Sequence, residues 1–129
     1  MISLDTLRGD ESQHVLRHKN GINRICWLVE ATVAATFAVS IDELRAPSRG
    51  RSDVAFARQA AMYLAHIVFG LNFGVIGALF HRDRTTVAHA CQLIENRRDM
   101  AAVDRLFDIL EGICRDLSCD LSSQLVVRP

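Results

Sequence analysis

At 129 residues, half of them apolar, the chain has the length for one domain with a real core and none to spare for a second. No run of about 18 apolar residues is present to span a bilayer, and the N-terminus lacks a basic segment followed by an apolar signal core, so a cytoplasmic protein is expected. The formal net charge is zero but unevenly spread: residues 45–98 hold eight arginines against Asp53, Asp83 and Glu95, while the rest carries seven basic and twelve acidic residues.

Residues 1–20 mix charges with Gly9 and Asn20 without a sustained apolar stripe, which predicts a mobile arm or one weak helix. From Gly21, Ile22, Ile25, Cys26, Val29, Val33 and Phe37 recur at helical spacing, so a packing helix runs to about Ala38. Trp27 lies beside that stripe and reads as core or partner surface, since no second aromatic accompanies it as a stacking platform. Ser40-Ile-Asp-Glu43 has capping-box spacing and starts a short helix that ends by Pro47. The loop that follows carries Arg49 and Arg51. Asp53 opens a long helix to about Phe69, with Val54, Ala57, Ala61, Leu64, Ala65 and Val68 as its buried stripe and Arg58, Met62 and His66 along another line.

Gly70 stops that helix, and Phe73 to Phe80 supplies a short one with Val75, Ile76, Leu79 and Phe80 to bury. His81-Arg82 is a turn. Asp83 then caps a helix with Val87, Ala90, Cys91 and Ile94 on an apolar stripe and Thr85, His89, Gln92 and Asn96 on the opposite face. The second face is all donors and acceptors. Arg84, Thr85 and Thr86 sit in the first turn, where a recognition helix meets base edges and where free amides favour phosphate. A last helix spans about Met100 to Leu117, with Val103, Leu106, Leu110, Ile113 and Leu117 three and four apart and Phe107 and Cys114 widening the stripe. That spacing braces the helix pair and also suits a two-helix seam. Residues 118–129 read as a loose tail.

Other chemistry finds little support. Cys26, Cys91, Cys114 and Cys119 lack CxxC spacing and read as small reduced residues, three of them in the core, and His81 has no ligand partners nearby, so no metal site is expected. No GxxxxGK[ST] loop exists, the histidines and acids fall on different faces, and the chain is not expected to be an enzyme or to hold a cofactor.

The run Arg-Asp-Arg-Thr-Thr-Val-Ala-His-Ala-Cys at 82–91 closely resembles the signature of the C-terminal DNA-binding domain, domain IV, of the bacterial chromosomal replication initiator DnaA. Ala57 to Ala65 resembles the preceding helix of that domain, and Phe73 to Phe80 resembles the first helix of its helix-turn-helix. The resemblance covers roughly residues 24–118 and includes no ATPase module. It implies an all-α, Trp-repressor-like helical domain over residues 21–118, between an arm at 1–20 and a tail at 119–129. The implied function is sequence-specific binding of double-stranded DNA at DnaA-box-like sites, at the nucleoid, regulating replication initiation or transcription without ATP hydrolysis. A protein-interaction module that kept this fold and lost DNA affinity is the alternative.

The implied DNA-binding residues are Arg49, Arg51, Arg58, Gln59, His66, Phe73, Gly74, Arg82, Asp83, Arg84, Thr85, Thr86 and His89. In the family the basic loop places an arginine in the minor groove, although a solvated loop has the same composition as Arg49 and Arg51. Arg58-Gln59 and the position of His66 approach the DNA backbone. The chain departs from the pattern at His66, where the family has lysine, at Arg84, where it has histidine, and in a turn one residue shorter. Besides DNA, the implied partners are the initiator or another protein, with the chain itself a monomer or weak homodimer.

Overall fold

The computed structural model describes the backbone of residues 4–47 and 51–126 and the side chains of residues 21–47 and 51–120. Among the described residues the chain forms six helices and no strand: α1 (Leu4–Phe37), α2 (Ile41–Arg45), α3 (Ser52–Phe69), α4 (Phe73–Phe80), α5 (Arg84–Arg97) and α6 (Ala101–Val126).

α3 is the axle, packed by all five other helices. The predicted stripe is buried, apart from a half-buried Val68, but Ala60, Met62 and Tyr63 are buried too, so α3 is enclosed on nearly all sides. Its alanines at 57, 60, 61 and 65 make this possible, since small side chains let neighbouring helices come close from several directions. Gly70 ends the helix in the left-handed region at φ 66°, which costs glycine nothing.

Both terminal helices run further than the apolar stripes alone indicate. α1 is continuous from Leu4, taking in the stretch expected as an arm or one weak helix, because residues 4–37 contain no proline and Gly21 needs no special backbone. α6 likewise runs on to Val126 where a loose tail was expected, since no proline or glycine interrupts residues 113–128. α6 also sits at a different rotation. Phe107, Leu110 and Cys114 are buried, whereas Ile113 and Leu117 of the predicted stripe are exposed. Phe107 fixes that rotation through edge-on contacts with Phe56 at 6.3 Å and Tyr63 at 5.5 Å, each arrangement adding about 0.5–1.5 kcal/mol to area burial.

The capping box of α2 forms as expected: the Glu43 amide donates to Ser40 Oγ and the Ser40 amide to Glu43 Oε2, both at 3.0 Å. Among the described residues every buried side-chain nitrogen or oxygen has a hydrogen-bond partner. Glu30, only 1% exposed, accepts two bonds from Arg45 at 2.8 Å and one from the Cys26 thiol at 3.3 Å. Arg98 joins three helices, donating to Tyr63 Oη, Asp104 and Asp108 at 3.1, 2.7 and 2.6 Å, while Tyr63 Oη donates to Glu95 at 2.6 Å. Cys26, Cys91 and Cys114 are free and buried, and Cys119 is free and exposed. Burial, reinforced by Glu30, pushes the Cys26 thiol up to about 12, which removes its nucleophilic form at neutral pH.

Candidate nucleic-acid interface

α4, the turn and α5 form a helix-turn-helix whose local chemistry is readable step by step. Asn72 caps α4 by accepting the Val75 amide at 2.9 Å. At its other end His81 takes the left-handed conformation at φ 55°, a position glycine usually fills. The Arg82 amide then donates to Gly77 O at 2.8 Å. Gly77 is the residue that makes so short a turn feasible, because a Cβ there would collide with the Arg82 carbonyl oxygen.

α5 presents the two faces its period predicts. Val87, Ala90, Cys91 and Ile94 are buried against α3 and α4, while Arg84, Thr85, Thr86, His89, Gln92 and Asn96 are exposed. Gln92 donates to Asn96 at 3.1 Å, so the C-terminal part of the polar face is partly satisfied by itself. Among the described residues the side chains of Arg84, Thr85, Thr86 and His89 make no hydrogen bond or ion pair, so their donors and acceptors remain open to an incoming ligand.

Asp83 corrects an expectation. It has the extended backbone of an N-cap, φ −66° and ψ 148°, but its side chain makes no capping bond. The carboxylate turns to solvent, and the first amides of α5 keep no side-chain partner at the positive end of the helix dipole.

Arg58 and Arg82 are tied into the fold. Arg58, expected along the DNA backbone, is 5% exposed and donates to the carbonyls of Leu44 at 2.9 Å, Glu43 at 3.0 Å and Ala46 at 3.5 Å. Those three carbonyls belong to the C-terminal end of α2, where carbonyls lack intrahelical donors, so the guanidinium acts as an internal cap. Burial, and then the positive charge of Arg82, lowers its pKa. Arg82 is half-buried and donates to Phe80 O at 3.3 Å, His81 O at 3.1 Å and Ala46 O at 3.1 Å. Both guanidiniums therefore meet at the Ala46 carbonyl, which commits part of each one's five donors to the fold.

The remaining expected residues divide. Arg49 lies outside the described residues. Arg51, exposed at the N-cap of α3, makes ion pairs with Glu43 at 3.1 Å and Asp53 at 3.4 Å. Gln59 is half-buried and Gly74 is exposed. His66 is half-buried, with Nδ1 donating to Leu71 O at 2.9 Å and its ring 4.6 Å from that of Phe73, so it ties the end of α3 to the start of α4. In the neutral ring this leaves only a lone pair at Nε2, which cannot donate to a phosphate. Sequence reasoning missed Gly77 and the Ala46 carbonyl. A glycine in mid-helix four residues before the turn was the available signal for the first; the second is a backbone group and leaves none.

Comparison with known proteins bears on this geometry. The family model described as the bacterial DnaA protein helix-turn-helix matches residues 28–94. Chromosomal replication initiator protein DnaA 1 of Protochlamydia amoebophila is 39% identical over 66 residues, which cover 51% of this chain and 14% of that protein. The chromosomal replication initiator protein DnaA of Mycobacteroides abscessus is 37% identical over 89 residues, 69% of this chain and 18% of that protein. The DnaA of Desulfotalea psychrophila is 36% identical over 91 residues, 67% of this chain and 19% of that protein. The chain thus spans less than a fifth of the length of these relatives.

Proposed function

The chain belongs to the bacterial DnaA helix-turn-helix family, and on that premise we propose that it binds double-stranded DNA sequence-specifically at sites related to DnaA boxes. The observation that carries this reading is the outer face of α5, where Arg84, Thr85, Thr86 and His89 are exposed together while Val87 and Ile94 anchor the helix beneath them. A helix so mounted fits the major groove, which is wide enough to admit it. The threonine hydroxyls and the first-turn amides meet phosphate oxygens, and Arg84 and His89 reach base edges.

Arg58 and Arg82 serve this site from beneath it. By holding the Ala46 carbonyl from α3 and from the turn, they fix where the loop of Arg49 and Arg51 leaves α2 relative to the start of α5. They are positioning residues. Arg51, exposed at the start of α3, is the arginine offered to an adjacent minor groove, where arginine is favoured if A·T pairs narrow it. Occupancy is the mechanism: the bound chain regulates initiation of replication or transcription at the sites it covers.

Titrating a labelled duplex carrying a box-like site, and a random-sequence duplex, across salt concentrations tests the proposal. Affinity should fall steeply with salt, by about 0.9 in logarithmic slope for each phosphate contacted, and the box-like duplex should bind more tightly. Absence of binding at low salt, or binding insensitive to salt, overturns it.

A further inference from the structure

We infer that the outer face of α1 and α6 is a docking surface for a second copy of this chain. Between Arg24 and Asp42 the only charged residue is Glu30, and it is buried under Arg45. The solvent side of α1 therefore carries no charge from Ile25 to Phe37, about three and a half turns. Trp27 is 57% exposed there, with the half-buried Ala31 and the exposed Ala35 one and two turns further on. α6 adds Ile113 and Leu117, 40% and 43% exposed, and between the two helices lies a groove of about 580 Å³ that Asp120 also lines. Large apolar side chains clustered at this exposure mark an interaction site.

The order of sizes on α1 identifies the occupant. Trp27, Ala31 and Ala35 are spaced i, i+4 and i+8 on one face. When two copies of α1 meet antiparallel across Ala31, each Trp27 falls over Ala35 of the other copy, a large side chain onto a small one on both sides of a two-fold axis. Such self-complementarity is what an isologous interface requires. Arg24, one turn before Trp27, is the one cation on this side of α1, too little to hold a phosphate backbone, which argues against nucleic acid here.

Area sets the strength. Residues 21–37 span about 25 Å at 1.5 Å per residue, and two helices side by side are about 20 Å wide, so roughly 500 Å² per copy is available. The total of about 1,000 Å² is at the lower limit for a specific interface, which makes the dimer weak and concentration-dependent. α3 lies between this face and α5, so dimerisation leaves both reading faces free and doubles them.

Trp27 is the only tryptophan in the chain and sits on the proposed interface, which supplies a direct readout. Sedimentation velocity of the full chain, without DNA, should show the mass doubling between about 10 and 500 μM, with tryptophan emission moving to shorter wavelength over the same range as the indole is desolvated. Ala35→Arg should keep the helical circular dichroism of the natural protein and abolish both changes; Trp27→Lys, also at an exposed position, provides the same sedimentation test should Ala35→Arg fail to fold. A monomer at every concentration overturns the inference. So does a dimer whose emission is unmoved or that survives either folded variant, which would place the contact elsewhere. A monomer with emission already at short wavelength would mean that the chain's own residues cover the groove. No DNA is present, so the outcome is independent of whether the chain binds DNA.

Discussion

The outer face of α5 and the junction beneath it, where α2, α3 and the turn meet, use the same residue type in opposite ways. At the junction Arg58 and Arg82 direct their donors inward, onto five different backbone carbonyls between them, and hold no carboxylate. On α5, Arg84 is exposed and bonds nothing among the described residues. A guanidinium with most of its donors on carbonyls has fewer left to fork onto a phosphate, so a count of arginines overstates the electrostatic footprint. The difference also separates what the residues should do when removed: junction arginines should act on stability, and Arg84 on recognition.

The largest expected effect breaks the support common to both regions. Val87 has no exposed surface, and Val87→Asp buries an unpaired carboxylate between α5 and the core, costing several kcal/mol, about 4 or more, and unfolding the domain. Circular dichroism should show lost helix; a folded mutant would mean that α5 rests on another face.

Arg58→Ala comes next. It strips the donors from the carbonyls of Leu44 and Glu43 and leaves a void, so urea denaturation should show a loss of about 2–4 kcal/mol. Unchanged stability combined with lost DNA affinity would return Arg58 to the DNA backbone and dissolve the contrast with Arg84.

At Arg84 the effect should appear in sequence preference instead. An arginine at the start of α5 has two parallel donors suited to guanine O6 and N7, so the selected site should favour guanine at the base pair it faces, by about 1–3 kcal/mol. Selecting sites from a random pool with the natural protein and with Arg84→His should give sequences that differ at that position, with equal thermal stability of the two proteins. Identical sites would show that Arg84 reads nothing.

Arg51 should show the smallest effect on stability, because its partners Glu43 and Asp53 are both exposed and such pairs contribute about 0–1 kcal/mol. Arg51→Ala should therefore leave the melting temperature nearly unchanged and weaken binding most at A·T-rich sites. Equal weakening on every sequence would assign Arg51 to phosphate.

The legible parts of the molecule are those fixed by local spacing. The two faces of α5 follow from the positions of Val87, Ala90, Cys91 and Ile94 against a 3.6-residue period, and the α2 cap follows from Ser40 and Glu43 three residues apart. The misread parts depend on partners distant in sequence. Arg58 is drawn inward by carbonyls 12 to 15 residues earlier, which a pattern on α3 alone does not reveal. On α6, Phe107 meets Phe56 and Tyr63 and turns the helix so that Ile113 and Leu117 face out, although all lie within one broad apolar stripe. Asp83 depended on a side-chain rotamer, which spacing does not determine.

Adding a box-like duplex to isotopically labelled protein and mapping the amide signals that move tests most directly whether α5 is the reading face. The changes should concentrate at residues 83–92 and at Arg51, with the junction carbonyl partners Leu44 and Arg58 little affected. Changes confined to α1 and α6, with α5 undisturbed, would contradict it.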